Sequence, residues 1–448
     1  MNRNYHDLYK ALIKAYYDGH FEDEFERLLS KFENKEEAKK VLCALCGAEE
    51  ILDKDGHEFV FALINSITQN EVRERLVRKI NACEEDCHQE GGKSKCMMAC
   101  PFDAIERVGE SGDKKINADL CMSCGRCVSI CDSGKYQDVS EGMPVMELLR
   151  QHEHVVAMVA PAIAGQFGPD VTLEQLREAF IKLGFDDMFE VAMGADVLSM
   201  KEALEYNELV KENGDFMITS CCCPVWVSML RKQYHELVKE VSPSVSPMVA
   251  MGRIIKAINS DVKTVFVGPC IAKKAEAKEP DISDSTDYVL TFQELKLIFE
   301  AFDIDPSTLK GVPTVEYAST GGRLYARAGG VSEAVWDAID QMFPEKRKLF
   351  SSVQADGVVD CKNLLNDLLA GEVKASFIEG MGCKGGCVGG PKAIVSAEQG
   401  KVYVDRVARE SAIKMPFHSE TVKDILQVLG IHSLEELRDD HSIFERKF

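Results

Sequence analysis

The sequence predicts an α/β protein, because apolar strand-like runs alternate with helical segments along most of the chain. The strand-like runs are HVVAMVAPA (154–162), KTVFVGPC (263–270) and KASFIEGMGC (374–383). Helical stretches such as LEQLREAFIKLG and FQELKLIFEAF lie between these runs. This alternation is typical of sheets with helices packed on their faces, and in such folds function gathers at the loops where strands end.

A chain of 448 residues is too long for one hydrophobic core, so we expect several domains. The pattern suggests a helical N-terminal region (1–80), a cysteine-rich segment (81–140) and an α/β region (141–448). The first region contains strong helix formers, as in FEDEFERLLSKFENKEEAKKVLCALCG. Its lone CxxC, Cys43 and Cys46, has no second pair nearby, which favours two cysteines on an apolar helix face over a metal or redox site.

Charge and cysteine usage limit the class of protein. The formal net charge of −21 argues against binding to nucleic acid or to an anionic membrane surface. The N-terminus has no apolar signal segment, and the longest apolar stretch, 155–163, is too short to span a bilayer. Seventeen cysteines at uneven spacing form a poor disulfide framework. We therefore expect a cytoplasmic location, where cysteines serve more often as metal ligands.

The cysteine-rich segment has the spacing of iron–sulfur ligands. It reads Cys83-x3-Cys87-x8-Cys96-x3-Cys100-Pro and then Cys121-x2-Cys124-x2-Cys127-x3-Cys131. The second run has the spacing with which bacterial-type ferredoxins bind a 4Fe-4S cubane, and in two-cluster proteins the fourth cysteine of each run ligates the other cluster. We expect one cluster on Cys121, Cys124, Cys127 and Cys100, and another on Cys83, Cys87, Cys96 and Cys131.

Two alternatives stay open for this segment. A zinc site is one, although zinc ligands usually come as two CxxC pairs with a longer gap. The first run is stretched, so His88 could replace a cysteine as a ligand. Two neighbouring cubanes carry electrons and do not catalyse, which directs attention to a redox centre further along the chain.

Three later stretches contain cysteines in unusual contexts. They are TSCCCPVW (219–226), VGPCIAKKAEA (267–277) and FIEGMGCKGGCVGGP (377–391). Together they closely resemble the three signature motifs of the iron-only (FeFe) hydrogenases, and the resemblance covers roughly residues 81–390. It implies an H-cluster domain with two lobes of mixed or parallel sheet flanked by helices, preceded by a two-cubane ferredoxin-like α+β domain and the helical N-terminal region.

In that family the motifs bind the H-cluster. This cofactor is a 4Fe-4S cubane joined through one cysteine to a two-iron subsite with CO, cyanide and a bridging dithiolate. The resemblance makes four cysteines the cubane ligands, the last of them also bridging to the two-iron subsite: Cys223, Cys270, Cys383 and Cys387. Cys222 takes the place of the cysteine that shuttles protons, and Cys221 is an extra residue without an assigned role.

The resemblance also implies roles around the subsite. Lys273 matches the lysine that donates to one cyanide, and Glu276 matches a glutamate that pairs with basic groups there. Met381 matches the methionine beside the bridging CO. Ala160, Pro161 and Ala162 resemble the small loop that lines the other cyanide.

By the same resemblance, a proton path runs from Cys222 through a water to Glu202, Ser242 and Glu205 and out to solvent. Glu202 and Glu205 lie three residues apart in a predicted helix (199–214), so they share one face. Taken alone, two such glutamates are usually a solvated helix face. Their place relative to Cys222 favours the relay.

Several positions depart from the family pattern. Gly268 stands where most members carry a methionine, Met248 stands where glutamine is common, and the third motif ends in CVGGPK. We interpret Cys361 as a buried structural thiol and Lys274 as a solvated surface or ion-pair residue. Trp226 and Tyr325 are expected to pack, although either could line the site.

The predicted function is reversible reduction of protons to H2, with ferredoxin or a similar soluble carrier as the electron partner. Maturation proteins are expected to supply the two-iron subsite. The alternatives are a slow H2-sensing homologue, an iron–sulfur assembly protein without that subsite, and a simple electron carrier. The presence of both Cys222 and Lys273 favours the hydrogenase.

Overall fold

The structure is a computed structural model of the chain. It describes residues 3–30, 32–69, 76–83, 87, 93–109, 113–152, 154–220, 222–313 and 318–448. Two residues discussed above, His88 and Cys221, lie outside the described residues.

The N-terminal region is helical, as predicted. Its helices are α1 (His6–Tyr17), α2 (Phe21–Leu29), α3 (Lys35–Cys46) and α4 (Gly56–Thr68). Cys43 and Cys46 are fully buried on α3, in agreement with their interpretation as core residues. The Tyr9 hydroxyl of α1 accepts a hydrogen bond from Ser140 at 3.1 Å, so this region packs directly on the rest of the molecule.

Among the described residues, two small antiparallel strand pairs and two short helices lie in the cysteine-rich segment or directly before it. These elements are β1 (Val77–Lys79), α5 (Lys95–Ala99), β2 (Ile105–Val108), β3 (Asp113–Ile116), α6 (Arg126–Ile130) and β4 (Tyr136–Asp138). Strand β1 pairs with β4, and β2 pairs with β3. Since β1 lies before residue 80, the first pair joins residues on both sides of the predicted domain boundary.

The remaining strands form two parallel sheets, which confirms the predicted fold class. The strands are β5 (Val155–Val159), β6 (Asp187–Glu190), β7 (Met217–Ile218), β8 (Lys263–Gly268), β9 (Tyr288–Thr291), β10 (Ser352–Asp356) and β11 (Phe377–Met381). One sheet has the order β6-β5-β8-β9 and the other the order β10-β11-β7. The three strand-like runs of the sequence correspond to β5, β8 and β11.

Helices flank both sheets. They are α7 (Gly142–Gln151), α8 (Leu173–Leu183), α9 (Ala192–Leu209), α10 (Pro224–Gln233), α11 (Pro247–Ile258), α12 (Ala272–Glu276), α13 (Phe292–Ala301), α14 (Thr320–Leu324), α15 (Gly330–Met342), α16 (Val358–Leu369), α17 (Ala397–Glu410), α18 (Glu420–Val428) and α19 (Leu434–Asp439). Capping boxes at Thr172 and Thr291 fix the starts of α8 and α13. No helix within the described ranges is long and apolar enough to cross a membrane.

Helix α9 lies at the centre of this region. Every residue from Ala192 to Tyr206 is buried, although the helix carries Asp196, Lys201, Glu202 and Glu205. Buried charges are costly unless partners compensate them. The sequence pattern alone favoured an exposed helix face for the two glutamates, and that reading is wrong.

A buried ion pair connects the cysteine-rich segment to the α/β region. Lys392 Nζ lies 2.8 Å from Asp138 Oδ1, and the two side chains are 2% and 1% exposed. Burial alone would raise the pKa of Asp138, but the positive charges of Lys392 and Lys274 outweigh it and hold that pKa well below its usual range.

We expect Asp138→Ala to lower the free energy of unfolding by about 3–5 kcal/mol, because it leaves the Lys392 ammonium buried without its partner. Chemical denaturation of the purified variants measures this loss. Asp170→Ala is the matched control: its ion pair with Arg406 is exposed, so we expect a change below about 1 kcal/mol. Equal losses in both variants would contradict the assignment.

Candidate functional site

An apolar cavity lies where the loops after β5 and β8 approach helices α9 and α11. Its volume is about 50 Å³. The lining residues include Ala160, Pro161, Ala162, Cys222, Met248, Phe266, Cys270, Lys273, Tyr325 and Cys387. Residues from all three cysteine motifs therefore meet at one cavity.

The four cysteines expected to bind the cubane are electrostatic neighbours. Burial, followed by the charges of Cys223 and Cys387, raises the pKa of Cys270 to about 12. Burial and then Cys223 likewise raise the pKa of Cys387 to about 12. The pKa of Cys383 is raised well above its usual value by burial and by the other three thiols. A bound iron cluster would hold these groups as thiolates.

The chemistry of these four thiols suits an iron–sulfur cubane, because soft thiolates are its usual ligands. In the described part of the chain, no group of three or more His, Cys, Asp or Glu side chains could hold one metal ion.

Glycines of the third motif allow it to approach the first motif closely. The Gly382 N–H donates to Cys223 Sγ at 3.3 Å. A Cβ at Gly382 would lie 2.8 Å from Val225, so this position has no space for a side chain. Gly386 has a φ of +87°, which favours glycine, and its backbone approaches the Met381 thioether. The third motif needs its glycines for packing.

The Lys273 ammonium tests whether an anionic ligand fits the cavity. Its Nζ is buried and makes an ion pair with Glu276 Oε2 at 2.6 Å. Apart from Glu276, Nζ has no hydrogen-bond acceptor among the described residues. Burial alone would lower the pKa of Lys273, but Glu276 outweighs it and raises that pKa. A permanent buried cation with unused donors fits the cyanide-bearing group that the family motifs imply.

Phe266 occupies the space beside the departure at Gly268. Both residues lie on β8, two positions apart, and so face the same side of the sheet. A Cβ at Gly268 would lie 2.6 Å from the Phe266 ring and 3.5 Å from Ala160 Cβ. Lys273 Nζ lies 5.9 Å from the centre of the same ring. The aromatic ring thus fills the space beside Gly268 and forms a cation–π contact with Lys273.

The residues of the predicted proton path are buried behind the cavity. Ser242 Oγ donates to Glu205 Oε2 at 2.5 Å, so the last predicted step is a direct hydrogen bond. Burial raises the pKa of Glu205 to about 7, although Ser242, Lys201 and Ser244 act to lower it. A carboxyl group with this pKa exchanges protons at neutral pH.

Two polar contacts in this region were not apparent from the sequence. Thr219 Oγ1 donates to Glu202 Oε1 at 2.6 Å, and Thr219 lies three residues before Cys222. The Tyr325 hydroxyl lies 3.0 Å from Ser199 Oγ. Ser199 already donates its one proton to the Ala195 carbonyl, so Tyr325 is the donor in this pair. Neither residue stands out in a motif search, because each acts through a tertiary contact.

Three further residues that the sequence singled out are buried: Lys274, Trp226 and Cys361. Lys274 is not a surface residue: it is fully buried and forms an ion pair with Glu294 at 2.8 Å. The alternative expectation of an ion pair was therefore correct. Trp226 packs in the core and donates to the Thr219 carbonyl at 2.9 Å. Cys361 is a buried thiol that donates to the Met381 carbonyl, as interpreted.

Within each of the two predicted ferredoxin-type ligand groups, cysteines also lie close to one another or to a shared neighbour. Cys124, Cys121 and Cys100 all raise the pKa of Cys127, after burial as the largest cause. In the other group, Cys96 contributes to the raised pKa of Cys83. Cys87 and Cys131 both contribute to the raised pKa of Lys95. The arrangement agrees with an exchange of the fourth cysteine between the runs.

The second ferredoxin-type run contacts the cavity region. A Cβ at Gly125 would lie 2.3 Å from the Ile271 side chain and 3.5 Å from Pro391. The charge of Cys124 also contributes to the raised pKa of Cys383. Ile271 directly follows Cys270 in the second motif. The cysteine-rich segment therefore contacts this motif next to one of its proposed cubane ligands.

Comparison with known proteins gives three findings. The family profile described as "Iron only hydrogenase large subunit, C-terminal domain" matches residues 153–391. The "NADP-reducing hydrogenase subunit HndD" of Solidesulfovibrio fructosivorans is 28% identical over 327 residues, which span 60% of this chain and 55% of that protein. The "Cytosolic iron-sulfur assembly component 3" of Rattus norvegicus is 22% identical over 358 residues, 66% of this chain and 75% of that protein.

The fold also matches a solved structure. A [FeFe]-hydrogenase examined for oxygen inactivation of its H cluster superposes with a TM-score of 0.58 at 21% identity. The match covers 69% of this chain and 99% of the other. This likeness shows that the two share a fold.

If Cys127 is a cluster ligand, Cys127→Ala should lower the iron content by about four atoms per chain, because one cubane loses a ligand. Iron analysis and electron paramagnetic resonance of the reduced protein measure this change. Cys43→Ala is the matched control: it removes a buried thiol that lies outside both ligand groups. Unchanged iron in Cys127→Ala would contradict the ligand assignment.

Proposed function

Because the chain belongs to the iron-only hydrogenase family, we propose that it catalyses the reversible reduction of protons to H2. The observation that supports this most directly is the cavity in which Cys222, Cys270, Lys273 and Cys387 meet. We propose that Cys223, Cys270, Cys383 and Cys387 hold the cubane of an H-cluster. When bound, the cluster would supply the redox-active iron at which protons and electrons combine.

Lys273 has the role of a fixed cation in this proposal. Its buried ammonium, paired with Glu276 at 2.6 Å, is held beside the cavity and keeps donors available for anionic ligands of the cofactor. In a cavity with mainly apolar walls, such donors interact strongly, since little water competes for them. Ala160, Pro161 and Ala162 line another part of the cavity wall with small side chains.

Cys222 takes the position of the first proton carrier. It lines the cavity, and a thiol there can accept a proton from the site and pass it on. Glu202, held by Thr219, and then Ser242 and Glu205 provide the next groups. Each is a buried group that can gain or lose a proton or rotate a hydroxyl, which is the property that a relay requires.

Electrons enter this scheme through the two ferredoxin-type clusters. The contact of Gly125 with Ile271 and Pro391 supports a position beside the cubane ligands for the cluster proposed on Cys121, Cys124, Cys127 and Cys100. Electron transfer between clusters requires that they lie close together, and this packing favours such an arrangement. We propose a small soluble electron carrier such as ferredoxin as the partner.

The assembly-type relatives define the second candidate function. An assembly protein would keep the cubane motifs and have no use for a proton shuttle or a buried donor at the two-iron subsite. Cys222 and Lys273 line the same cavity here, which favours the hydrogenase. A hydrogen sensor with slow turnover would use the same residues and would differ from the hydrogenase in its rate of H2 turnover.

Infrared spectroscopy tests the two-iron subsite. In protein produced with the maturation machinery, we expect bands of CO and cyanide bound to iron. Protein produced without that machinery is the control and should lack the bands while keeping the cubane signals. If the matured protein also lacks them, the assembly function is favoured and the hydrogenase proposal fails.

The relay is tested by Cys222→Ala. We expect H2 turnover to fall by about 10²–10⁴-fold, the usual contribution of a positioned acid–base group, with unchanged iron content. Cys361→Ala is the matched control, since Cys361 is a buried thiol outside the cavity wall. Full activity in Cys222→Ala would show that protons take another route.

A further inference from the structure

The C-terminal segment of the chain packs against the solvent-side end of the relay. Ser244 pairs with Glu445 in an antiparallel bridge. Val245 N–H donates to the Phe444 carbonyl, and Arg446 N–H donates to the Pro243 carbonyl, both at 2.9 Å. The same short segment contains Ser242 and Ser244, whose hydroxyls donate to Glu205 at 2.5 and 3.0 Å. The C-terminal segment is therefore held against the relay by its backbone.

Lys201 lies between Glu205 and this C-terminal segment. Its side chain is fully buried, with Nζ 2.8 Å from Glu445 Oε1 and 3.8 Å from Glu205 Oε1. The ammonium also donates to the carbonyls of Arg438 at 3.0 Å and Asp440 at 3.1 Å. One nitrogen thus approaches two carboxylates, of which Glu205 belongs to the relay and Glu445 lies nearer the surface.

Glu445 connects the buried lysine to solvent. Its other oxygen, Oε2, lies 2.7 Å from His441 Nδ1. The Glu445 side chain is 15% exposed and the His441 side chain is 74% exposed. Imidazole is the side chain that most readily exchanges protons with water near neutral pH. Distances and exposure together describe a series of ionisable groups from bulk water to Glu205, with one gap of 3.8 Å between Lys201 and Glu205.

We propose that His441 and Glu445 form the proton port of this chain and that Lys201 transfers protons between Glu445 and Glu205. The proposal rests on the proposed function for its role in turnover, because a port serves the relay that leads to the cavity. Glu445 and His441 touch neither the cavity nor any proposed ligand. They would act by supplying protons to groups that do.

The transfer balances with one proton entering. The His441 imidazolium gives a proton to the Glu445 carboxylate and takes another from water. The Lys201 ammonium gives a proton to the Glu205 carboxylate and takes one from the Glu445 carboxylic acid. His441, Glu445 and Lys201 then return to their starting states, and Glu205 carries the proton that entered from solvent. The 3.8 Å separation between Lys201 and Glu205 exceeds a hydrogen bond, so a rotation of the lysine side chain or one water molecule must close it.

Other charged groups surround the port. Asp440 caps the segment through Ser442 and Ile443. Arg253 of α11 donates to the Glu445 carbonyl at 2.9 Å. The neighbours on the C-terminal elements are Arg438, Asp439 and Arg446, and Glu208 of α9 pairs with Arg438 at 3.4 Å. Positive and negative side chains both surround the port, and both affect how its protonation changes with pH.

A purely structural role for Lys201 and Glu445 is the competing explanation. In that case the ion pair would fasten the C-terminal segment, and His441 would be an incidental surface contact. The two explanations differ for His441→Gln. This variant alters an exposed side chain and leaves the pair of Lys201 with Glu445 in place, so a fastening role predicts no effect on proton movement.

The test follows the protonation of Glu205 directly. The infrared carboxylic acid band that disappears in Glu205→Gln identifies the group, and its response to a rapid pH jump gives the rate of protonation. In His441→Gln and Glu445→Gln we expect this rate to fall by about tenfold or more. His432→Gln and Glu435→Gln are the matched controls, with the same chemical changes at exposed positions of the same region. Added imidazole should restore the rate in His441→Gln.

The outcomes separate this inference from the proposed function. An unchanged rate in both variants, with melting temperatures equal to the parent, would overturn the port whether or not the chain makes H2. Slowed protonation that imidazole restores supports the port even in protein that carries only cubanes. In active protein, the same variants should lose H2 evolution mainly at high pH, where protons are scarce.

Discussion

The site depends on the parallel pairing of strands. Strand β5 pairs with β8 in parallel, so the loops that follow Val159 and Gly268 leave the same edge of one sheet. Strand β11 pairs with β7 in parallel, which places the first and third cysteine motifs at the same edge of the other sheet. Parallel pairing thereby gathers motifs separated by more than 150 residues, and the cavity lies between the two edges.

Burial of charge is the second constraint, and helix α9 carries most of it. Asp196 accepts hydrogen bonds from Ser319 and Gly322, and burial still raises its pKa to about 7. Lys201, Glu202 and Glu205 are compensated by separate partners on other segments. A helix that served only as core would carry apolar residues at these positions. Each of these buried polar groups has a partner that offsets part of the cost of its burial, and in the proposed function Glu202 and Glu205 also carry protons.

The sequence predicted the parts that depend on local spacing. Strands β5, β8 and β11 and the ferredoxin-type cysteine runs follow from short patterns, and the three later motifs follow from resemblance. It did not predict the burial of Lys274 or the contact of Thr219 with Glu202. Those contacts join residues from different elements, so they depend on how sheets and helices pack. The pair of Lys201 with Glu445 shows this most clearly, since the two residues are 244 positions apart and no local pattern connects them.

The departure at Gly268 shows how a change in motif can leave the site's architecture intact. Strand geometry makes Phe266 and Gly268 neighbours on one face, and the absence of a side chain at Gly268 gives the Phe266 ring room beside Ala160. The ring then faces the Lys273 ammonium, which is paired with Glu276. The aromatic ring thereby adds an electrostatic contact to the cation in this part of the wall. Gly268 and Phe266 therefore depend on each other, because the Phe266 ring occupies space that a side chain at position 268 would need.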